Sequence, residues 1–477
     1  MFAKRTCLPL IAVMFSSYAF APAELAAAAG PLKAGFATTD ITPDVNGPKP
    51  VWIAGYGQNR RATGVHDPLF ARAVVFNDGA KKIALVAVDL VGVQYPTTQE
   101  IRQRLDGFDY VLVASTHNHE GPDVLGLWGP NPFKSGVDPD YLSLLVERTV
   151  EAVRKADAAA QPVTGAYGTA QDDDLLRDSR QPHAPDGVLR TVKLLGTSGK
   201  PAGLVVQWNC HPEALGSGNK LITADFPWQT VKRLEAHYGC PVVYFSGAVG
   251  GLMTTPSNRY QKSRGIADST FEYAEAYGNE VADLAIKALD AAQAIDLAPL
   301  AFSAKPISVP LENPLYRVAQ MAGVLTREGR QWTGDYEVIG DTIKKGESAD
   351  TAAGISEVAY LRLGQLHVAG IPGELYPELM YGTFQEPAEP NADFPDAPLE
   401  AHVMKLLPGD KTMLIGLAND ELGYIIPKRQ WDHATPFAYG RKKSQYGEEN
   451  SCGPQMAGVL LGALEHRIEE IKKSSGE

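Results

Sequence analysis

Short apolar runs alternate along this chain with longer stretches of amphipathic period. The runs at 82–90, 110–115, 191–195, 204–209, 242–245, 360–363, 366–371 and 413–417 are rich in Val, Leu, Ile and Tyr. Closed by Gly, Asn or Pro, they predict buried strands that open into loops. Patterns of helical period cover 140–155, 226–238, 271–291 and 452–473. Strands alternating with helices predict an α/β fold. The stretch 314–353, with Gly, Thr, Lys and Asp and a weak helical start, is the least core-like part and reads as an insertion or lid.

The polar residues that close the apolar runs carry the chemistry. VLVAST leads into His117-Asn118-His119, LVVQWNC into His211-Pro212, LHVAGIPG into Glu374, and MLIGLAND into Glu421-Leu422-Gly423-Tyr424. Residues two apart in an extended chain point to one side, so both imidazoles of the His-x-His can face one site. Alternatively, one of them bonds a loop backbone. His211 precedes a proline, which restricts it to extended geometry. Glu374 is either a ligand or a carboxylate at the start of a helix over 375–381, where negative charge is favourable. Tyr424 taken alone reads as a packed aromatic. Their joint occurrence at strand ends points to a mononuclear metal site, because a hydrolytic zinc needs about three protein ligands and an open position for water. Asp89, at the end of LVAVD, orients a ligand histidine from behind or caps a loop or helix. Asp225 is likewise a partner for His211, or the N-cap of the helix from Phe226, with Pro227 near its first turn.

Composition narrows the class. The 477 residues are 44% hydrophobic, enough for a large core, and show no convincing split. The net charge is −12 with Lys and Arg scattered, which argues against a nucleic-acid or anionic-membrane partner and leaves a small-molecule or lipid substrate. Met1 to Arg5 carries two positive charges, 8–20 is apolar, and Ala19-Phe20-Ala21 or 26–29 supplies small residues for cleavage. Residues 1–30 therefore read as an export signal, and 31–477 as one catalytic domain in the periplasm or secreted. Cys210, Cys240 and Cys452 remain in the mature chain; an odd count without regular spacing forms at most one bridge. No other stretch approaches the roughly 18 apolar residues of a membrane span.

The segments Thr116-His117-Asn118-His119-Glu120-Gly121-Pro122, Asn209-Cys210-His211-Pro212, Gly370-Ile371-Pro372-Gly373-Glu374 and Gly416-Leu417-Ala418-Asn419 through Gly423-Tyr424 resemble the neutral/alkaline non-lysosomal ceramidases. So do 34–43, 66–73, Val88-Asp89 and the closing 446–454. The resemblance runs from about 33 to about 465 in one order. It implies mixed sheets flanked by helices and one zinc ion per chain, held by His117, His211, Glu374 and Tyr424. His119 would face the substrate as an acid/base or oxyanion group. A substrate-contacting arginine would be Arg180, with Arg177 second. The implied reaction is hydrolysis of an N-acyl amide by zinc-activated water, with an esterase, lactonase or carbohydrate-directed hydrolase as the alternative on one scaffold.

Two departures from the family pattern modify these expectations. The family's Gln-Ser-Asn-x-Gly-Asp loop reads Ser246-Gly247-Ala248-Val249-Gly250-Gly251 here. Its serine and aspartate are replaced, which favours a zinc-water route over a serine nucleophile. The chain also ends at Glu477, without room for the family's β-sandwich tail. Soluble or partly soluble amides and esters are therefore expected to be better substrates than long-chain ceramide.

Overall fold

Every residue from Ile83 to Val88, from Tyr110 to Ser115 and from Val242 to Ser246 is buried, as in strands covered on both faces. The computed structural model describes residues 31–344 and 351–476; the export segment read at 1–30 lies outside them. These strands belong to a nine-stranded sheet. Its members are β1 (Lys33–Asp40), β2 (Phe70–Asn77), β3 (Lys82–Val88), β4 (Tyr110–Ser115), β5 (Gln161–Gln171), β6 (Val188–Gly196), β7 (Pro201–Trp208), β8 (Val242–Ser246) and β9 (Gln293–Ile295). The order is β8-β7-β6-β5-β1-β2-β3-β4, with β9 beside β5. The pairs β3–β4 and β7–β8 are parallel, and the others are antiparallel.

A second, five-stranded sheet comprises β10 (Leu300–Pro310), β11 (Arg330–Gln331), β12 (Ala352–Leu363), β13 (Leu366–Gly370) and β15 (Thr412–Ile415). Two short strands, β14 (Glu374–Leu375) and β16 (Tyr424–Ile425), pair in parallel with Glu374 directly opposite Tyr424. The sheets pack face to face: Leu85, Leu112, Val205 and Val243 share a core with Leu361, Val368, Met413 and Ile415. Outside the first sheet lie helices α1 (Tyr95–Gln103), α2 (Pro139–Ala158), α3 (Asp225–Tyr238) and α4 (Phe271–Asp290), through two further cores. The outer face of the second sheet meets the last helix, Met456–Ser475. The architecture is a four-layer α/β sandwich of mixed sheets flanked by helices.

The local reasons are visible in sequence. Helix α2 starts at Pro139 with the Asp138 carboxylate accepting from Asp140 N, and α4 starts where the Thr270 side chain accepts from Tyr273 N; both are N-cap geometries. The ends of β4, β7, β8, β13 and β15 meet where the sheets converge: Ala114 bridges Ala418, Gly416 N donates to Ser246 O at 2.9 Å, Gly247 N to Trp208 O at 2.9 Å and Ile371 N to Ile415 O at 3.0 Å. Loops leaving packed strand ends are held rigidly at that edge.

Candidate metal centre

His117 follows β4 and His211 follows β7, while Glu374 opens β14 and Tyr424 opens β16. The structure brings the four side chains together. Glu374 Oε2 lies 2.8 Å from His211 Nε2 and 3.4 Å from His117 Nε2, and Tyr424 Oη lies 3.5 Å from His211 Nε2. His119 stands beside them, its Nε2 3.3 Å from His117 Nε2. The approach of the last two segments depends on Gly373, whose φ is +152° and where a Cβ would lie 2.6 Å from Gly423 O. Only glycine adopts that conformation without strain.

His117 itself has φ +65°. The chain is therefore not extended through the His-x-His, and the expected alternation does not explain why its two imidazoles meet. They meet because the left-handed residue turns the backbone, with Thr116 N and Asn118 N tied to Val88 O and Leu90 O on either side. His117 Nδ1 lies 2.7 Å from Val91 O and His211 Nδ1 lies 2.8 Å from Met253 O. A carbonyl can only accept, so both Nδ1 atoms carry protons and each Nε2 is the atom turned toward the cluster. Two imidazole Nε2 atoms and the Glu374 carboxylate thus converge in a buried volume, an arrangement that could hold a metal ion. The donor set of nitrogen and oxygen fits zinc. The three histidines alone also bring their ligand atoms within 4.8 Å of one another.

Burial opposes ionisation of Glu374, but the His117 and His211 imidazoles outweigh it and hold its carboxyl well below the usual range. Burial likewise opposes charging of His211, and the bond to Glu374 reverses this and raises its pKa. His119 is pushed well down, by burial and then by the charge of His117 and His211. Burial, then Glu374, pushes the Tyr424 phenol well up.

His117, His119, Glu374 and Tyr424 form the floor of a cavity of about 590 Å³ whose apolar walls include Leu125, Leu127, Trp128, Leu252, Leu311 and Leu325, with His211 just behind them. Tyr316, Gln320, Leu325 and Arg327 bring the 314–353 stretch into that wall, Tyr316 and Gln320 from α5 (Pro314–Met321). Residues not singled out by sequence also face it. Glu421 is held at a pKa of about 8 by burial and then by the Glu374 charge. Glu213, Tyr56 and Arg327, the last paired with Asp420, add to the polar lining, with Gln94, Tyr446 and Asn450. Glu213 follows the His211-Pro212 turn; its place two residues past a candidate ligand is the signal that could have found it.

Three assignments are corrected. The Asp89 carboxylate takes Arg72 Nη1 at 2.6 Å and Phe70 N at 2.9 Å, holding strand β2 rather than a histidine. Asp225 accepts from Phe226 N at 2.6 Å, at the start of α3, and not from His211. The groups behind His117 and His211 are instead the carbonyls of Val91 and Met253. Arg180 is 2% exposed and locked to Glu448 at 2.6 Å. It lies outside the cavity wall, and so does Arg177. Ser246 is buried with its Oγ donating to Thr116 O at 2.7 Å, in no position to be a nucleophile. Cys210, Cys240 and Cys452 are free and buried.

Fold and site together define a two-sheet α/β protein with a metal-type donor cluster under an apolar cavity. The sequence family described as neutral/alkaline non-lysosomal ceramidase, N-terminal, matches residues 32–237, and the resemblance read from the motifs holds. The fold matches the crystal structure of neutral ceramidase from Pseudomonas aeruginosa with a TM-score of 0.69 and 15% identity, over 93% of this chain and 75% of that one. A structure described as ceramidase complexed with C2 matches with a TM-score of 0.67 and 15% identity, over 93% and 76% of the two chains. Among curated proteins none matches the chain.

Proposed function

We propose that this chain is an exported, zinc-dependent, ceramidase-like hydrolase of amide (N-acyl) bonds. One observation carries the reading: two histidine Nε2 atoms, a carboxylate and a phenol converge beside an apolar cavity that His117, Glu374 and Tyr424 line. His117, His211, Glu374 and Tyr424 are the residues that would hold the ion, with His119 kept for the substrate. A bound zinc would supply charge to polarise the scissile carbonyl and a water acidic enough to ionise at a pH of about 7. The chain's own residues do the rest. The carbonyls of Val91 and Met253 fix the two ligand imidazoles. The leucine-lined wall takes the acyl chain out of water. His119 Nε2, open to the cavity, is placed to carry a proton to the leaving nitrogen. Residues 1–30 would direct the protein to the periplasm or beyond, as one catalytic domain after their removal. Among the described residues no helix is long and apolar enough to cross a membrane.

The test is metal analysis of the purified protein joined to side-by-side hydrolysis of a fluorogenic N-acyl-sphingosine and a short-chain aryl ester. About one equivalent of zinc and amide cleavage are expected. Full activity in a chelated, metal-free sample would sink the proposal, and cleavage of the ester alone would move it to another hydrolase class.

A further inference from the structure

The second histidine of the pair has one nitrogen at the cluster and one pointing away from it. His119 Nδ1 is buried without a hydrogen-bond partner. The carboxylate it faces is Glu213, whose Oε2 lies 3.7 Å away, too long for a hydrogen bond as it stands. Contacts of this kind are often long without substrate and tighten in the working complex. Glu213 is otherwise lightly used: Tyr56 Oη lies 3.3 Å from Oε2 and 3.1 Å from the Glu213 carbonyl. Burial, then the Glu213 charge, raises the Tyr56 pKa, so that hydroxyl stays a donor.

The imidazole is boxed so that its orientation is fixed. Tyr56 meets it edge-on, with ring centroids 5.1 Å apart. Gly55, at φ +98°, leaves no room beside it, since a Cβ there would lie 2.7 Å from Nδ1. Arg60 holds the His119 carbonyl at 3.1 Å, and His119 N donates to Pro212 O at 3.0 Å, next to Glu213 itself. With the ring held, only the position of its proton is open. On Nε2 that proton would be donated to His117 Nε2, 3.3 Å away, and would occupy the lone pair that His117 brings to a cation. On Nδ1 it leaves His117 free and needs an acceptor on the far side. Glu213 is placed to be that acceptor.

We propose that Glu213 is a positioning residue that selects the Nδ1–H tautomer of His119 and thereby keeps His117 Nε2 available for a metal ion. The inference rests on the metal reading above. It goes beyond the ligand set, because it assigns the metal affinity in part to a residue that touches no metal.

The experiment uses the full chain with ¹⁵N-labelled histidine. Long-range ¹H–¹⁵N NMR correlation reads the tautomer of His119, assigned by the peaks lost in His119→Gln. Chelator competition reads zinc affinity. Glu213→Ala is expected to move the proton to Nε2 in the metal-free protein and to weaken zinc binding by about 2- to 10-fold, the worth of the one hydrogen bond from His119 to His117 that the ion must then break. Glu213→Gln, whose amide oxygen still accepts, is expected to keep the Nδ1–H tautomer and most of the affinity. Since Glu213 lines the cavity and is partly exposed, truncation leaves the core packing intact. An unchanged tautomer or an unchanged zinc affinity in Glu213→Ala overturns the proposal. Both effects in a protein that hydrolyses no amide would leave it standing while overturning the functional reading.

Discussion

His117 occupies the left-handed region at φ +65°, a conformation that costs a non-glycine residue on the order of 1–3 kcal/mol. Backbone bonds to Val88 and Leu90 and the imidazole bond to Val91 hold it there. The strain aims Nε2 at the cluster, so removal of this side chain and of its neighbour should differ in kind. His117→Ala and His211→Ala should lose both metal and activity. His119→Ala should retain about one zinc by metal analysis while losing about 10²-fold or more in kcat, the scale of a lost proton-transfer or oxyanion group. Equal loss of metal in His117→Ala and His119→Ala would make His119 a ligand and favour the three-histidine arrangement. The same residue depends on its glycine neighbour. Gly55→Ala puts a methyl group against the His119 ring at a φ of +98°. Activity should fall strongly, with zinc content nearly unchanged.

At the scale of elements, the 314–353 stretch is more than an appendage. Arg327 Nη1 reaches Asp420 Oδ2 at 2.9 Å, and Asp420 Oδ1 also accepts from Tyr95 N and Glu421 N. This buried pair ties the cavity wall to the loop that carries Tyr424. Arg327→Met strands the Asp420 charge and should cost about 3–5 kcal/mol in denaturant unfolding; adding Asp420→Asn should recover much of it. Cost-free removal of the arginine would show that the wall is held by other contacts. The strands that sequence made legible are those buried on both faces, such as Tyr110–Ser115 and Val242–Ser246, because their apolar runs are continuous. Strands Gln161–Gln171 and Leu300–Pro310 were not read, since their exposed Thr, Gln and Lys residues and their glycines and prolines break the pattern and pairing with neighbours decides their conformation. The side chains of the cluster were legible because each follows an apolar run. For Asp89 and Asp225 the sequence left a site role and a capping role open, and for Arg180 it offered a substrate contact, because a charged residue looks the same in sequence whether it serves a site or locks a turn. Only the fold shows that Arg72, the start of α3 and Glu448 claim them.

At the scale of the whole molecule, Glu378 is a buried acid whose pKa burial raises to about 7. It is held by Gln430 Nε2 at 2.8 Å and is 2% exposed. An acid raised by folding keeps its proton in the native state at a pH where the unfolded chain has released it. Between its ordinary value of 4.5 and about 7, stability therefore falls as pH rises, by up to about 3 kcal/mol. Glu378→Gln should remove that slope: more stable than the parent at a pH of about 7.5, with the gap closing below about 4.5. Parallel slopes in the two proteins would mean that Glu378 is ionised in the fold. The cavity sets the remaining expectation, since its size and apolar wall decide how substrate length is read. Each methylene taken from water into such a wall contributes about 0.8 kcal/mol, roughly a fourfold gain. Across N-acyl amides of increasing chain length, kcat/KM should climb by about that factor per methylene while the cavity of about 590 Å³ fills, then level off. Added length beyond that point stays in water and contributes nothing. Long-chain ceramide in detergent should therefore show no advantage over a mid-length soluble amide. A kcat/KM that keeps rising to the longest chains would show that the wall continues onto a lipid surface, and that the preference for soluble substrates is wrong.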